Sequence, residues 1–127
     1  MKLNPDCIRD ILLAVEENTG YRKELQISRA LPLPEQLQKY DFETVAYHAK
    51  QCIMAGLLVK GHPFLRVEIP IADLTPAGHD FLANIRADTN WNRVKQKAKS
   101  VGSESLSILI QIASQVITSM LTQLHGF

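Results

Sequence analysis

A mainly α-helical chain with one small antiparallel β-sheet is the fold class this sequence predicts. Three observations predict it. Apolar residues recur at helical spacing through most of the chain, two short stretches alternate apolar with polar residues instead, and proline, glycine or asparagine stands at most of the junctions. With 127 residues, 46% of them hydrophobic and 21% charged, the chain can fill a packed core and falls outside the disordered class.

The elements follow in order. Asn4 suits an N-cap, Pro5 the first helical position and Asp6 the positive end of the dipole. Ile8, Ile11, Leu12 and Val15 then recur at i, i+3, i+4 and i+7, and Asn18-Thr19-Gly20 stops the helix. Leu25 and Ile27 alternate with Glu24, Gln26 and Ser28, which predicts a short half-buried strand. Leu31-Pro32-Leu33-Pro34 forbids regular structure, and Pro34-Glu35 opens a brief helix toward Tyr40. From Phe42, Val45, Ala46, Ala49, Cys52 and Ile53 form the apolar stripe of a longer helix that Gly56 closes.

Leu57-Leu58-Val59 begins a strand, Lys60-Gly61-His62-Pro63 predicts a turn, and Leu65, Val67, Ile69 and Ile71 alternate as the second strand of a hairpin. Pro70 cannot donate to a ladder and so predicts a sheet edge or a strand end. Thr75 and Pro76 start another helix that buries Phe81, Leu82 and Ile85. Trp91, Val94 and Ala98 mark a short basic helix to about Lys99. Val101-Gly102-Ser103 breaks it, and a last helix runs from about Glu104 to Leu124.

Helix, strand, short helix, helix and hairpin is the order of a winged helix-turn-helix domain, here expected over residues 1–87. Residues 88–127 are expected to add a C-terminal helical extension. Val45 to Leu58, with His48, Ile53 and Ala55-Gly56-Leu57, resembles the recognition helix and following strand of many bacterial winged-helix regulators. Leu74-Thr75-Pro76-Ala77-Gly78 is similar to the helix start that follows the wing in those families. The opening Asn4-Pro5-Asp6, Tyr47-His48, the run from Thr75 to Leu82, Asn90-Trp91 and the serine-rich apolar tail resemble a family of bacterial and prophage proteins of unknown function. That resemblance implies the winged fold and a mobile-element context, and it implies no catalytic residues.

In such a fold one stripe of the recognition helix is buried and the other is free for a major groove. The residues expected to read bases are Thr44, Tyr47, His48 and Gln51. Lys60, His62 and Arg66 at the hairpin, with Lys95 beyond it, are expected at phosphates or a neighbouring groove. The charge distribution is less favourable. Residues 1–85 hold 9 Lys/Arg against 11 Asp/Glu, and residues 86–127 hold 5 against 2, with Arg93, Lys95, Lys97 and Lys99 close together. Two partners therefore stay open, duplex DNA and another protein.

After Glu104 the chain carries no Asp, Glu, Lys or Arg. The last helix presents a wide apolar face, and Leu106, Leu109, Ile110, Ala113, Val116, Ile117, Met120 and Leu124 are expected to form a homodimer interface. Packing on its own monomer and lying on a membrane are the competing readings. A membrane span is not expected, because eight of the 19 positions from Leu106 to Leu124 are polar.

No metal site, cofactor or enzymatic activity is expected. His48 and Cys52 stand at i and i+4, but no second pair of ligands has matching spacing. Cys7, near a helix start, is expected to be a small buried residue, although the dipole there would favour its thiolate. No phosphate loop, nucleophile elbow or carboxylate pair occurs. Two cysteines and an N-terminus without an apolar signal core lead to a cytoplasmic expectation.

Overall fold

The computed structural model describes residues 1–63 and 66–124. The helices are α1 (Pro5–Asn18), α2 (Phe42–Met54), α3 (Pro76–Ile85), α4 (Asp88–Val101) and α5 (Leu106–Leu124). The strands are β1 (Leu25–Ile27), β2 (Leu58–Lys60) and β3 (Ile69–Leu74), and a 3₁₀ turn covers Glu35–Leu37. The fold is mainly α with one small antiparallel sheet, in the element order the sequence predicts. The chain divides into two compact units, residues 1–79 and 80–127.

In the first unit the strand order is β1-β3-β2. Leu25 pairs with Ile71 and Ile27 with Ile69, so the apolar residues of both strands share the buried face. Helix α1 packs on the 3₁₀ turn, on α2 and on β3. Its stripe of Ile8, Ile11, Leu12 and Val15 is at most 1% exposed, and each such side chain contributes about 2 kcal/mol of burial. The ends of the elements are chemically fixed. The Asn4 side chain accepts from the N–H groups of Asp6 and Cys7, and Asp41 accepts from Thr44 N–H. Gly56 has φ 78°, the left-handed backbone expected where α2 stops.

Thr75 accepts from Gly78 N–H and donates to the Gly56 carbonyl, which ties the start of α3 to the end of α2. Gly78 lies so close to the Leu57 carbonyl that a Cβ would collide with it.

The hairpin is shorter than its alternation predicts. β2 ends at Lys60 and β3 begins only at Ile69, so the strands lie further apart in sequence than a four-residue turn would place them. Leu65, expected in the strand, lies outside the described residues, and Val67 is half-buried outside the strand. Arg66 explains part of the difference, because its φ of 66° is incompatible with an extended strand. Pro70 is buried in the central strand rather than on an edge. Its carbonyl accepts from Gly61 N–H just past the end of β2, so its nitrogen faces a place where the ladder has stopped.

In the second unit, α4 starts at Asp88 and buries Trp91, Val94 and Ala98, the residues that mark it in the sequence. Gly102, at φ 77°, caps it. Helix α5 packs on α4 and buries Leu109, Ile112, Ala113 and Val116. Three residues expected at a dimer interface, Leu109, Ala113 and Val116, are thus covered within the chain, and the interface expectation is corrected there. Leu106, Ile110, Ile117 and Met120 are half-buried, and Leu121 and Leu124 are 51% and 80% exposed.

Candidate functional site

Helix α2 buries Val45, His48, Ala49 and Cys52, spaced i, i+3, i+4 and i+7. The opposite face carries exposed Glu43, Lys50 and Met54 and half-buried Thr44, Tyr47 and Gln51. His48 therefore cannot read a base, which corrects the expectation for that residue. It is 1% exposed. Its Nδ1 lies 2.7 Å from the Thr44 carbonyl, and its Nε2 accepts from the backbone N–H of Asn4 at 2.8 Å. The ring is therefore the Nδ1–H tautomer, and it joins α2 to the N-cap of α1. Tyr47 meets the imidazole edge-on, with centroids 5.3 Å apart. The spacing of Val45, His48 and Cys52 is the available signal: it places an imidazole in the apolar stripe.

The acidic residues around this face have local roles. Glu43 accepts from Arg29 at 3.1 Å, and Glu68 accepts from the Arg29 backbone N–H. The Arg29 guanidinium also covers the Phe42 ring. Hydrogen bonds from Thr44 hold the Asp41 carboxyl below its ordinary range. Among the described residues, Lys50, Lys60 and Arg66 form no ion pair. Lys50 and Lys60 line one groove of about 290 Å³ with Ile53, Met54, Glu68 and Ile69. The Arg66 backbone is pinned, because buried Ser28 donates its hydroxyl to the Arg66 carbonyl at 2.8 Å.

His62 sits elsewhere, held by Glu24. Its Nδ1 is 2.7 Å from one carboxylate oxygen, and its backbone N–H donates to the other at 3.0 Å. These bonds hold the Glu24 carboxyl below its ordinary range. Gly61 permits the approach, since a Cβ there would strike Glu24. The pair borders a second cavity of about 500 Å³ with Arg22 and Gln26. The Glu24–His62 contact spans 38 positions, and no local spacing announces it. Lys95 belongs to the second unit, on α4, with its ammonium 5.5 Å from the Trp91 ring centroid.

The thiols are unsuited to nucleophilic work. Burial, with the Asp10 charge, pushes Cys7 up to about 12, and burial raises Cys52 as well. Among the described residues, no group of three or more His, Cys, Asp or Glu could hold a metal ion.

The sequence profile of a hypothetical-protein family, DUF2513, matches residues 2–104. An uncharacterized protein of Haemophilus influenzae is 36% identical over 124 residues, covering 95% of this chain and 99% of the relative. No solved structure matches. The chain belongs to the DUF2513 family of hypothetical proteins.

Proposed function

We propose that this protein is a non-enzymatic, duplex-DNA-binding regulator of the winged-helix type. In this reading α2 enters the major groove, and the connection from Gly61 to Glu68 serves as the wing. The observation that carries the reading is the pairing of Lys50 and Lys60 across one groove between α2 and the sheet. Arg66 stands on the segment between the two strands, and the carboxylates of Asp41, Glu43 and Glu68 are engaged within the fold. Tyr47 and Gln51 supply base-reading chemistry on the same helix face, since Gln pairs well with adenine and Tyr reaches phosphates. His48 drops out of the reading residues, and Lys50 joins Lys60 as a phosphate contact.

The test is fluorescence anisotropy with a mixed-sequence duplex at several salt concentrations. Lys50→Ala with Lys60→Ala should weaken binding and lower the slope of log K against log salt by about 2, one for each phosphate left without its lysine. Unchanged affinity and slope would overturn the assignment.

A second reading, docking of a protein on this face, is favoured by one observation. Met54, a lining residue of the same groove, is 69% exposed. Under that reading Met54→Ala weakens capture of the partner, and duplex DNA does not bind at physiological salt.

Dimerisation belongs to the same proposal. Leu106, Ile110, Ile117, Leu121 and Leu124 fall on one flank of α5, left over after α4 covers the central stripe. The described part of α5 bears no formal charge, so a second copy meets this stripe without like-charge repulsion. By length and composition alone α5 also reaches the apolarity of a membrane span, with a hydropathy of 1.3. Sedimentation in detergent-free buffer separates the two: a soluble dimer supports the proposal, and a monomer or recovery only with lipid contradicts it.

A further inference from the structure

The second unit contains a cavity that the nucleic-acid reading does not use. Helices α4 and α5 pack together, with Trp91, Val94 and Ala98 buried on α4 and Leu109, Ile112, Ala113 and Val116 buried on α5. Beside that seam a groove of about 430 Å³ opens, lined by Arg93 and Lys97 of α4 and by Val116 and Met120 of α5 among neutral polar residues. Its size is within the range of small-molecule sites.

Arg93 and Lys97 stand four residues apart, so their stems rise on the same side of α4, with Cβ atoms about 6 Å apart. Like charges at that spacing destabilise a helix by a few tenths of a kcal/mol unless an anion lies between them. Among the described residues no acidic side chain lines the groove, and α5 carries no formal charge. Among the described residues, neither cation forms an ion pair. From α5, Val116, 7% exposed, and Met120, half-buried, add an apolar patch to the same groove. Gln96 and Ser119 add neutral hydrogen-bonding groups to the lining. Two cations without an ion pair and an apolar patch lining one groove call for a ligand with a negative head and a hydrocarbon body.

We propose that the α4–α5 groove binds an anionic amphiphile, specifically a medium-chain acyl carboxylate. The carboxylate lies between the Arg93 guanidinium, which can hold it through two parallel N–H donors, and the Lys97 ammonium. The acyl chain covers Val116 and Met120. This face of α5 lies about a third of a turn from the flank bearing Ile110, Ile117 and Leu121, so a second copy on that flank leaves the groove open. The inference is independent of whether α2 meets DNA.

The experiment uses the full chain labelled with ¹³C at the methionine methyls, which gives three signals, Met1, Met54 and Met120. Titration with decanoate should shift the Met120 signal in a saturable manner and leave Met1 and Met54 in place. Arg93→Gln with Lys97→Gln should weaken that binding by at least about tenfold, near 1.4 kcal/mol. Lys99→Gln, on the same helix but outside the groove, should bind as the parent does. Unmoved Met1 and Met54 signals in each variant report that the first unit is folded, and the Trp91 fluorescence spectrum reports the second.

Acetate, which has the head without the chain, should not bind, nor should decyltrimethylammonium, which has the chain without the negative charge. The proposal is overturned if Met120 does not respond, if the double variant binds equally well, or if the cationic amphiphile matches decanoate. It is also overturned if only anionic phosphatidylglycerol vesicles bind, because the groove would then be a membrane contact.

Discussion

Replacing His48 by alanine separates a structural histidine from a base-reading one. The change removes two hydrogen bonds, from Nδ1 to the Thr44 carbonyl and from the Asn4 N–H to Nε2, and empties a site that is 1% exposed. Each hydrogen bond is worth about 1 kcal/mol net. The void left by a buried ring costs about 2 kcal/mol at the low end of large-to-small substitutions. Asn4 lies at the surface, where water can reach its freed N–H, so a loss of about 3 kcal/mol is expected rather than the full sum. With a urea m-value of about 2 kcal/mol/M, the midpoint should fall by about 1.5 M. Far-UV circular dichroism during urea unfolding measures it. An unchanged midpoint together with abolished DNA binding would refute this reasoning, because it would place the ring outside the core and in the groove.

Four further outcomes follow from the same geometry. Gly78→Ala should destabilise the first unit by about 2 kcal/mol or more, because the Cβ meets the Leu57 carbonyl; thermal unfolding reads it. Arg66→Gly should leave stability within about 1 kcal/mol, since relief of the left-handed strain is offset by glycine's entropy, yet it should weaken duplex binding. Cys7 and Cys52 should resist iodoacetamide at about pH 8 until urea unfolds the chain, because burial disfavours both thiolates. Glu24 and Asp41 are held below their ordinary range in the folded protein, so the unfolded chain takes up their protons first. Their contribution is present at neutral pH and is lost as pH falls through the carboxylate range, and Glu24→Gln should flatten the acid limb of a stability–pH curve.

Much of the fold is legible because its signals are local. Asn4, Thr75, Gly56 and Gly102 act within a few residues of themselves, and the stripes of α1 and α5 are periodic. The hairpin misleads for an equally local reason. Leu65, Val67, Ile69 and Ile71 alternate like a strand, but Arg66 turns through the left-handed region and Ser28, from 38 positions away, fixes its carbonyl. The site is half legible. Periodicity separates the faces of α2, yet the polarity of His48 suggests a surface residue although its i+3 spacing from Val45 puts it in the stripe. Arg29, Glu24 and Glu68 give no signal because their partners are distant in sequence, and it is Arg29 that engages Glu43 and Glu68. On α5 the apolar face is visible, whereas its division between an α4-covered stripe and an open flank depends on a packing angle that no spacing encodes.

The most direct measurement of the central claim is an amide chemical-shift map of the full-length protein titrated with mixed-sequence duplex DNA at low salt. The account predicts shifts concentrated at Glu43, Tyr47, Lys50, Gln51 and Met54, at Lys60 and at Arg66, fading as salt is raised. Shifts confined to α4 and α5, or none at all, would contradict it.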